Sequence, residues 1–317
     1  MVGREADMKK ENTSRRRFFR PGDSLFDFRA NLAACIFFGI LIVLAFMPVL
    51  LVIMAAFSSE ESVAVYGYRF IPVELSVNSF RYIFRSGSLL PRAFLNSLVI
   101  TAAGTLLGLA VMCPCAYALS RKEFRHRGAL MIFLMIPMLF SGGLVSSYMV
   151  NTQVLHLRNT YWALILPGLC STWYLMMLRN YFITSLPDSL VESARLDGAM
   201  PLQTFWWIVL PVCKPVVMTV AVFQIFAYWN SWYSALLYID TNHTELYPLQ
   251  YVLVNIERSI QAMANDAKYL SGMTGATPPS ITLRMAMVVI AILPIMILFP
   301  FFHRFLKTGL TIGAVKE

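Results

Sequence analysis

The chain has 317 residues, 58% of them hydrophobic and 14% charged, and a net charge of +9. Soluble globular domains are about half apolar and about a quarter charged, so this composition excludes a soluble or disordered chain and points to a bilayer as solvent. The basic excess does not call for nucleic acid, because its placement follows membrane topology.

Residues 1–30 form a basic tail carrying Arg4, Lys9, Lys10, Arg15, Arg16, Arg17, Arg20 and Arg29. The run from Ser14 to Phe19 is similar to a twin-arginine export signal, but the apolar stretch starts well downstream and is too long for a signal core. An uncleaved first span behind a cytoplasmic tail is therefore expected. A crossing needs ~20 mostly apolar residues. Stretches at 31–57, 94–119, 129–150, 161–178, 205–238 and 281–305 meet this need. The predicted fold class is an all-α polytopic membrane protein with six transmembrane helices over residues 31–305. The fifth stretch is long enough to begin with a cytoplasmic or interfacial turn.

Lys and Arg near span ends stay cytoplasmic. With an inside N-terminus, the tail, the loop with Arg121, Lys122, Arg125 and Arg127, and the C-terminal tail at 306–317 all fall inside. The first outer loop, with Arg69, Arg81, Arg85 and Arg92, opposes this trend but is much longer. Gly104 and Gly108 in span two are spaced to let helix backbones approach. Cys113-Pro114-Cys115 reads as small residues at a helix kink rather than a redox or metal pair, and five cysteines in or beside spans make no disulfide framework. Histidines 126, 156, 243 and 303 are scattered and suggest no metal site.

Between spans four and five lies a polar segment, 187–211. Pro187 suits a first helical turn, and Asp188 places negative charge at the helix N-terminus. Leu186, Leu190 and Ala194 share a face. Glu192 and Arg195 are spaced to pair, and Gly198 can end the helix in a left-handed conformation. Pro201 then begins a helix running into span five. A short stiff helix with small residues at Ser193 and Ala194 is suited to a partner's groove.

Span five carries two candidate polar faces for a polar substrate, Gln224–Tyr228–Ser231 (preferred) and Phe226–Asn230–Tyr233, with Trp232 nearby. Aromatic rings, amides and hydroxyls suit the flat C–H faces and hydroxyls of sugars. The same aromatics also suit an interfacial belt. In the outer loop, 239–280, residues from Asn255 to Leu270 read as an amphipathic helix against the outer mouth. Ser271 to Ser280 reads as a flexible return.

Glu192-Ser193-Ala194, then Gly198, then Ile208-Val209-Leu210-Pro211, resembles the cytoplasmic "EAA" loop of ABC importer permeases. Further blocks agree: Ala116-Tyr117-Ala118-Leu119-Ser120-Arg121, Phe140-Ser141-Gly142-Gly143-Leu144, Trp229-Asn230-Ser231-Trp232, and Gly309 to Lys316. Over roughly residues 76–317 the chain resembles carbohydrate permeases related to the maltose importer's smaller subunit. Within these it is most similar to the complex-oligosaccharide subgroup of lipoprotein-associated, aldouronate and alginate permeases.

The resemblance implies a type I ABC importer permease fold in the bacterial cytoplasmic membrane, with both termini cytoplasmic. It implies a second permease subunit forming a heterodimer, two ATPase subunits and an external sugar-binding protein as partners. It assigns ATPase coupling to Glu192, Ser193, Ala194, Asp197 and Gly198. A tail contact to the ATPases falls to Gly313, Ala314 and Lys316. The side-chain chemistry of span five, rather than the resemblance, places the substrate pathway at Gln224, Tyr228, Asn230, Ser231 and Trp232; in the maltose importer the partner permease supplies most sugar contacts. Two positions depart from the family pattern: Ser193 replaces its first alanine, and Glu317 its usual final glycine.

The chain contains no Gly-Lys pair and hence no phosphate-cradling loop. No cofactor is expected in it, and ATP and Mg fall to the partner ATPases. An ion-coupled secondary sugar transporter is the alternative, but the first four spans lack the Asp, Glu or His of an ion relay. A membrane-embedded enzyme would need polar clusters that the sequence does not present.

Overall fold

In lipid every backbone polar group must be satisfied within the protein, which helices achieve segment by segment. The computed structural model describes residues 25–85, 89–270 and 281–311, and side chains within 30–84, 89–262 and 281–300. Among these the only strand-like feature is an antiparallel bridge between Ser58 and Leu75.

The helices are α1 Leu25–Ala56, the short outer helices α2 Glu60–Tyr66 and α3 Asn78–Arg85, then α4 Leu89–Ser120 and α5 Arg127–Leu139. Next come α6 Gly143–Met149, which continues to Val154, α7 Tyr161–Ile165, which continues to Gly168, and α8 Thr172–Ser185. The polar segment forms α9 Asp188–Leu196 and α10 Pro201–Thr204, which runs through Phe205–Val209 into α11 Leu210–Val212. The chain closes with α12 Lys214–Trp229, α13 Tyr233–Tyr238, α14 Leu249–Leu270 and α15 Ile281–Thr311.

Among the described residues three helices are long and apolar enough to cross a membrane alone: Ala30–Ala56, Leu89–Ser120 and Ile281–Pro300. Three bent pairs complete up to six crossings, with angles of 116° between Arg127–Leu139 and Gly143–Val154, 48° between Tyr161–Gly168 and Thr172–Ser185, and 80° between Pro201–Val212 and Lys214–Trp229. The expected uninterrupted spans three and four are thus broken, and span five, long enough to begin with a turn, bends by 80° after Val212. The physical causes are local. Span three breaks at Phe140–Gly142, where Gly143 adopts φ +81°, a conformation that suits glycine. Span five breaks at Cys213, ahead of Pro215, and ends at Asn230 rather than continuing to Tyr238. The first helix begins at Leu25, six residues inside the predicted tail. Tail residues 1–24, the predicted flexible return at 271–280 and the C-terminal residues 312–317 lie outside the described residues.

Buried side chains form two clusters at opposite ends of the bundle. One joins Ile83, Leu90, Ile100, Trp229, Tyr247, Leu249 and Leu283; the other joins Met112, Leu119, Leu178, Phe182, Val191, Phe205 and Val209. Between them α4 and α12 cross at Gly104 and Gly108. A Cβ on Gly104 would stand 2.5 Å from the Tyr228 ring, and one on Gly108 would overlap the Gln224 amide. The predicted close backbone approach is thus between these two helices. The first span stands apart. Its most apolar window has no buried residue and it packs mainly on α15, leaving Phe37, Phe38 and Val43 outward.

Contacts between loops sort the connections into two sets, one at each end. The loop after α4 touches the 187–199 segment through Arg121, Lys122 and Glu123. The loop after α6 touches the one after α13 through Arg158 and Asp240. The turn after α1 touches the start of α15, where both carboxylate oxygens of Glu60 accept from the backbone N–H groups of Ile281 and Thr282 at 3.1 and 3.0 Å. A carboxylate suits that site, because a helix N-terminus presents unpaired donors and positive dipole. Alternate connections therefore share an end, as six crossings require.

Candidate functional site

The polar segment folds as a braced lever. Pro187 is the N-cap of α9, with φ −59° and ψ 137°, rather than sitting in its first turn. Asp188 opens the helix and is held by Lys122 at 3.2 Å and Arg121 at 3.5 Å. Arg121 is itself buried, with its guanidinium 5.3 Å from the centre of the Tyr117 ring. At the C-terminal end Gly198 adopts φ +82°. Its N–H donates to Arg195 O at 3.0 Å, and the N–H of Ala199 to Ala194 O at 2.9 Å. This is the paired closure that a left-handed residue after a helix permits. The predicted glycine stop is present.

Two details differ from expectation. The buried face is Leu186, Val191 and Ala194, while Leu190 is largely exposed. Val191 joins the buried cluster that also holds Phe205 and Val209, so the inward stripe shifts by one residue. Arg195 pairs not with Glu192 but with Glu123 of the preceding inner loop, at 3.1 Å. A hydrogen bond from its own backbone N–H and the nearby Arg195 guanidinium hold the Glu123 carboxyl below the usual range.

Glu192, Ser193, Asp197 and Gly198 are exposed, and Ala194 is buried beneath them. The Ser193 hydroxyl donates to Ser189 O at 2.9 Å, so serine in place of alanine leaves its donor satisfied within the helix. Beyond the lever, Leu196, Met200, Leu202, Trp206 and Trp207 form an exposed apolar run, with Leu196 at 89% and Trp207 at 81%. Gly313, Ala314 and Lys316 lie outside the described residues.

The predicted pathway residues separate. Gln224 and Tyr228 are 1% and 5% exposed. Gln224 Nε2 donates to Leu169 O at 3.0 Å and Tyr228 Oη to Ile165 O at 2.7 Å. Both tie α12 to the 161–169 segment, and neither faces a free surface in the chain. Asn230 is exposed at the end of α12, with Nδ2 bonded to Phe226 O at 2.9 Å. Ser231 and Trp232 are half-buried, and the Arg258 guanidinium lies 5.7 Å from the Trp232 ring centre. Within this chain Gln224 and Tyr228 of the preferred face are packed, because their small neighbours, Gly104 and Gly108, let α4 close over them.

Sequence reasoning missed the polar ties at the opposite end. Asn96 Nδ2 donates to the carbonyls of Glu245 and Tyr247 at 2.7 and 3.0 Å, and Asn96 Oδ1 accepts from Tyr161 Oη at 2.9 Å. Asp240 accepts from Arg158 Nη2 and Asn159 Nδ2, both at 2.7 Å. The Asn159 hydrogen bond and then the Arg158 guanidinium hold its carboxyl below the usual range. A lone Asn near the start of a span was the available signal. The amphipathic outer helix is present but begins at Leu249, earlier than predicted. Among the described residues no group of three or more His, Cys, Asp or Glu is placed to hold a metal.

Comparison with known proteins gives a consistent picture. Residues 104–312 match the family model described as "binding-protein-dependent transport system inner membrane component". The chain is 34% identical over 270 residues to the polygalacturonan/rhamnogalacturonan transport system permease protein YtcP of Bacillus subtilis, covering 85% of this chain and 92% of that protein. It is 35% identical over 283 residues to protein LplC of the same organism, covering 89% and 92%. A solved chain from a bacterial ABC transporter that imports the acidic polysaccharide alginate superposes with a TM-score of 0.76 at 24% identity, covering 90% of this chain and 100% of that one.

Proposed function

The chain belongs to the family of binding-protein-dependent transport system inner membrane components, and from that premise we propose that it is the permease subunit of an ATP-driven importer of oligosaccharides or polysaccharide fragments. The sugar class follows its relatives, one a polygalacturonan/rhamnogalacturonan permease and one solved as part of an alginate importer. The observation that carries the reading is the lever. A rigid helix with an exposed Glu192-Ser193 edge and a left-handed stop at Gly198 is bonded to the inner loop of α4 and buries Val191 in the cluster that holds Phe205 and Val209.

In this reading the α9 end faces the cytoplasm, with both termini on that side of the bacterial cytoplasmic membrane. Two partner ATPases bind ATP and Mg and receive the lever through Glu192, Ser193, Ala194, Asp197 and Gly198. The tail at Gly313, Ala314 and Lys316 makes a second contact with them. A homologous permease completes a heterodimer, and an external sugar-binding protein delivers substrate to the opposite end. Closure of the ATPases pushes α9. The push passes through α10 and α11 to α12 and rocks the bundle between inward- and outward-open states. Asn230, Ser231 and Trp232 stand where α12 ends toward the outer mouth and line the pathway, with Gln224 and Tyr228 stiffening the helix behind them.

Two substitutions at Gly198 test the coupling. A Cβ there meets no atom within 4 Å, so Gly198→Ala acts on backbone conformation alone and Gly198→Trp adds bulk at the docking face. Alanine costs roughly 1–2 kcal/mol for its left-handed conformation. With the complete transporter in liposomes, Gly198→Trp is expected to abolish uptake while ATP hydrolysis continues. Unchanged uptake, or the absence of any ATPase in the purified assembly, overturns the reading. Gradient-driven flux by this chain alone supports an ion-coupled carrier instead.

A further inference from the structure

Helix α14 and the first turns of α15 face each other with matched stripes. Gln250, Glu257, Arg258 and Gln261 recur along α14 at helical spacing, and Arg284 stands one turn into α15. Between the two helices is a cleft of about 550 Å³, floored by the buried Leu253 and Met287. From Arg284 its wall runs to Ala291, about 10 Å deeper along the helix at ~1.5 Å per residue.

The polar groups of the cleft are unevenly matched. One Glu257 oxygen accepts from Gln261 Nε2 at 2.7 Å. The other lies 3.2 Å from Arg284 Nε, close enough for ionic attraction. The N–H does not point at that oxygen, however, and Arg284 Nε is buried without a hydrogen-bond acceptor. Arg258 rests over Trp232 and has no carboxylate partner among the described residues. Two guanidinium groups against one carboxylate leave the cleft positive. A buried donor lacking an acceptor is unfavourable. Arg284 Nε itself is closed off beside Glu257, but the side chain as a whole is 36% exposed, and an anionic oxygen arriving from outside meets that exposed part. Guanidinium matches a carboxylate in shape as well as charge.

We propose that this cleft is a docking subsite for acidic sugars, in which Arg284 and Arg258 receive a uronate carboxylate and the amides of Gln250 and Gln261 meet ring hydroxyls. The proposal rests on the importer reading above and deepens it by naming the substrate class. A neutral sugar would leave the Arg284 N–H with only a hydroxyl to bind, and a positive cleft would give it no attraction. Arg258 and Arg284 both line this cleft, and the Arg258 guanidinium lies 5.7 Å from the Trp232 ring centre.

The test uses the complete transporter in zwitterionic phosphatidylcholine nanodiscs, with saturation-transfer NMR reading weak binding of trigalacturonate and of maltotriose. Trigalacturonate is expected to bind about tenfold more tightly, the size of effect that a charged hydrogen bond supplies. The preference should fade in roughly 0.5 M salt. Arg258→Gln and Arg284→Gln should each remove most of it while leaving maltotriose binding within roughly twofold. Arg284→Lys, which keeps charge but loses the planar fork, should retain part. Arg258 is exposed, so its variant reports on the site without risk to the fold. Equal binding of the two sugars, or an unchanged preference in both glutamine variants, overturns the proposal. So does a trigalacturonate signal abolished by adding phosphatidylglycerol, which would assign the cleft to lipid headgroups. None of these substitutions touches α9. ATP-driven uptake that persists without a uronate preference therefore rejects the subsite and spares the importer reading, whereas loss of ATPase coupling in the unmodified transporter rejects the importer reading itself.

Discussion

Gly108 shows how a single hydrogen in place of a methyl decides a helix crossing. Its missing Cβ is where the Gln224 amide sits, with Leu169 O also 2.7 Å from that point. Gly108→Ala is expected to force α4 from α12 and lower stability by roughly 1–3 kcal/mol, the usual effect of overpacking. A denaturant or thermal melt in detergent, compared with Gly128→Ala, where a Cβ meets nothing within 4 Å, measures it. Asp240 carries a second residue-scale prediction. Its folded-state pKa lies below its unfolded value, with Asn159 first and Arg158 second as causes. The stability it contributes is therefore present above the unfolded value, near pH 4, and is lost as pH falls through the lower folded value. Hydrogen-exchange protection in the 155–160 and 239–243 loops, relative to the intrinsic rate, should fall below about pH 4, and Asp240→Asn should remove that step. The Gly104–Gly108 spacing was visible in the sequence. Asp240 was not, because its partners lie about eighty positions away and no local pattern joins them.

At the scale of an element, α9 is a nine-residue helix that could not stand alone, since isolated helices below about 12 residues are marginal in water. Its order comes from its end closures and from the loop after α4. The Arg195–Glu123 pair is exposed on both sides, so a double-mutant cycle with Arg195→Ala and Glu123→Ala should give a coupling of at most about 1 kcal/mol in stability. Its role is to fix direction. The same variants are expected to weaken transport per ATP more than they weaken folding, and equal losses in both would remove the case for bracing. The helix, its glycine stop and its following proline were all legible from local chemistry. The choice of Val191 over Leu190 as the buried residue, and of Glu123 over Glu192 as the partner of Arg195, was not. Both depend on where the bundle surface lies relative to the helix axis.

For the whole molecule, the loop contacts divide the connections between two ends, and the importer reading assigns the α9 end to the cytoplasm. With the five native cysteines replaced, a cysteine at Ser193 should react with a membrane-impermeant maleimide only from the cytoplasmic side. One at Asn242, exposed in the loop after α13, should react only from outside. Labelling of both from one side would break the alternation. The first span, apolar all round and packed mainly on α15, leaves a broad surface for lipid or the partner permease.

The sequence by itself determined that the chain crosses a membrane several times, where its polar lever lies and how that lever starts and stops. These follow from composition, span length and residues whose backbone preferences act within a few positions. Only the tertiary structure decided that spans three and four are bent, that Gln224 and Tyr228 bond to the 161–169 segment, and that Arg284 and Arg258 line one cleft. Those outcomes turn on which helix faces which, and side chains far apart in sequence acquire a common environment only once the helices have packed.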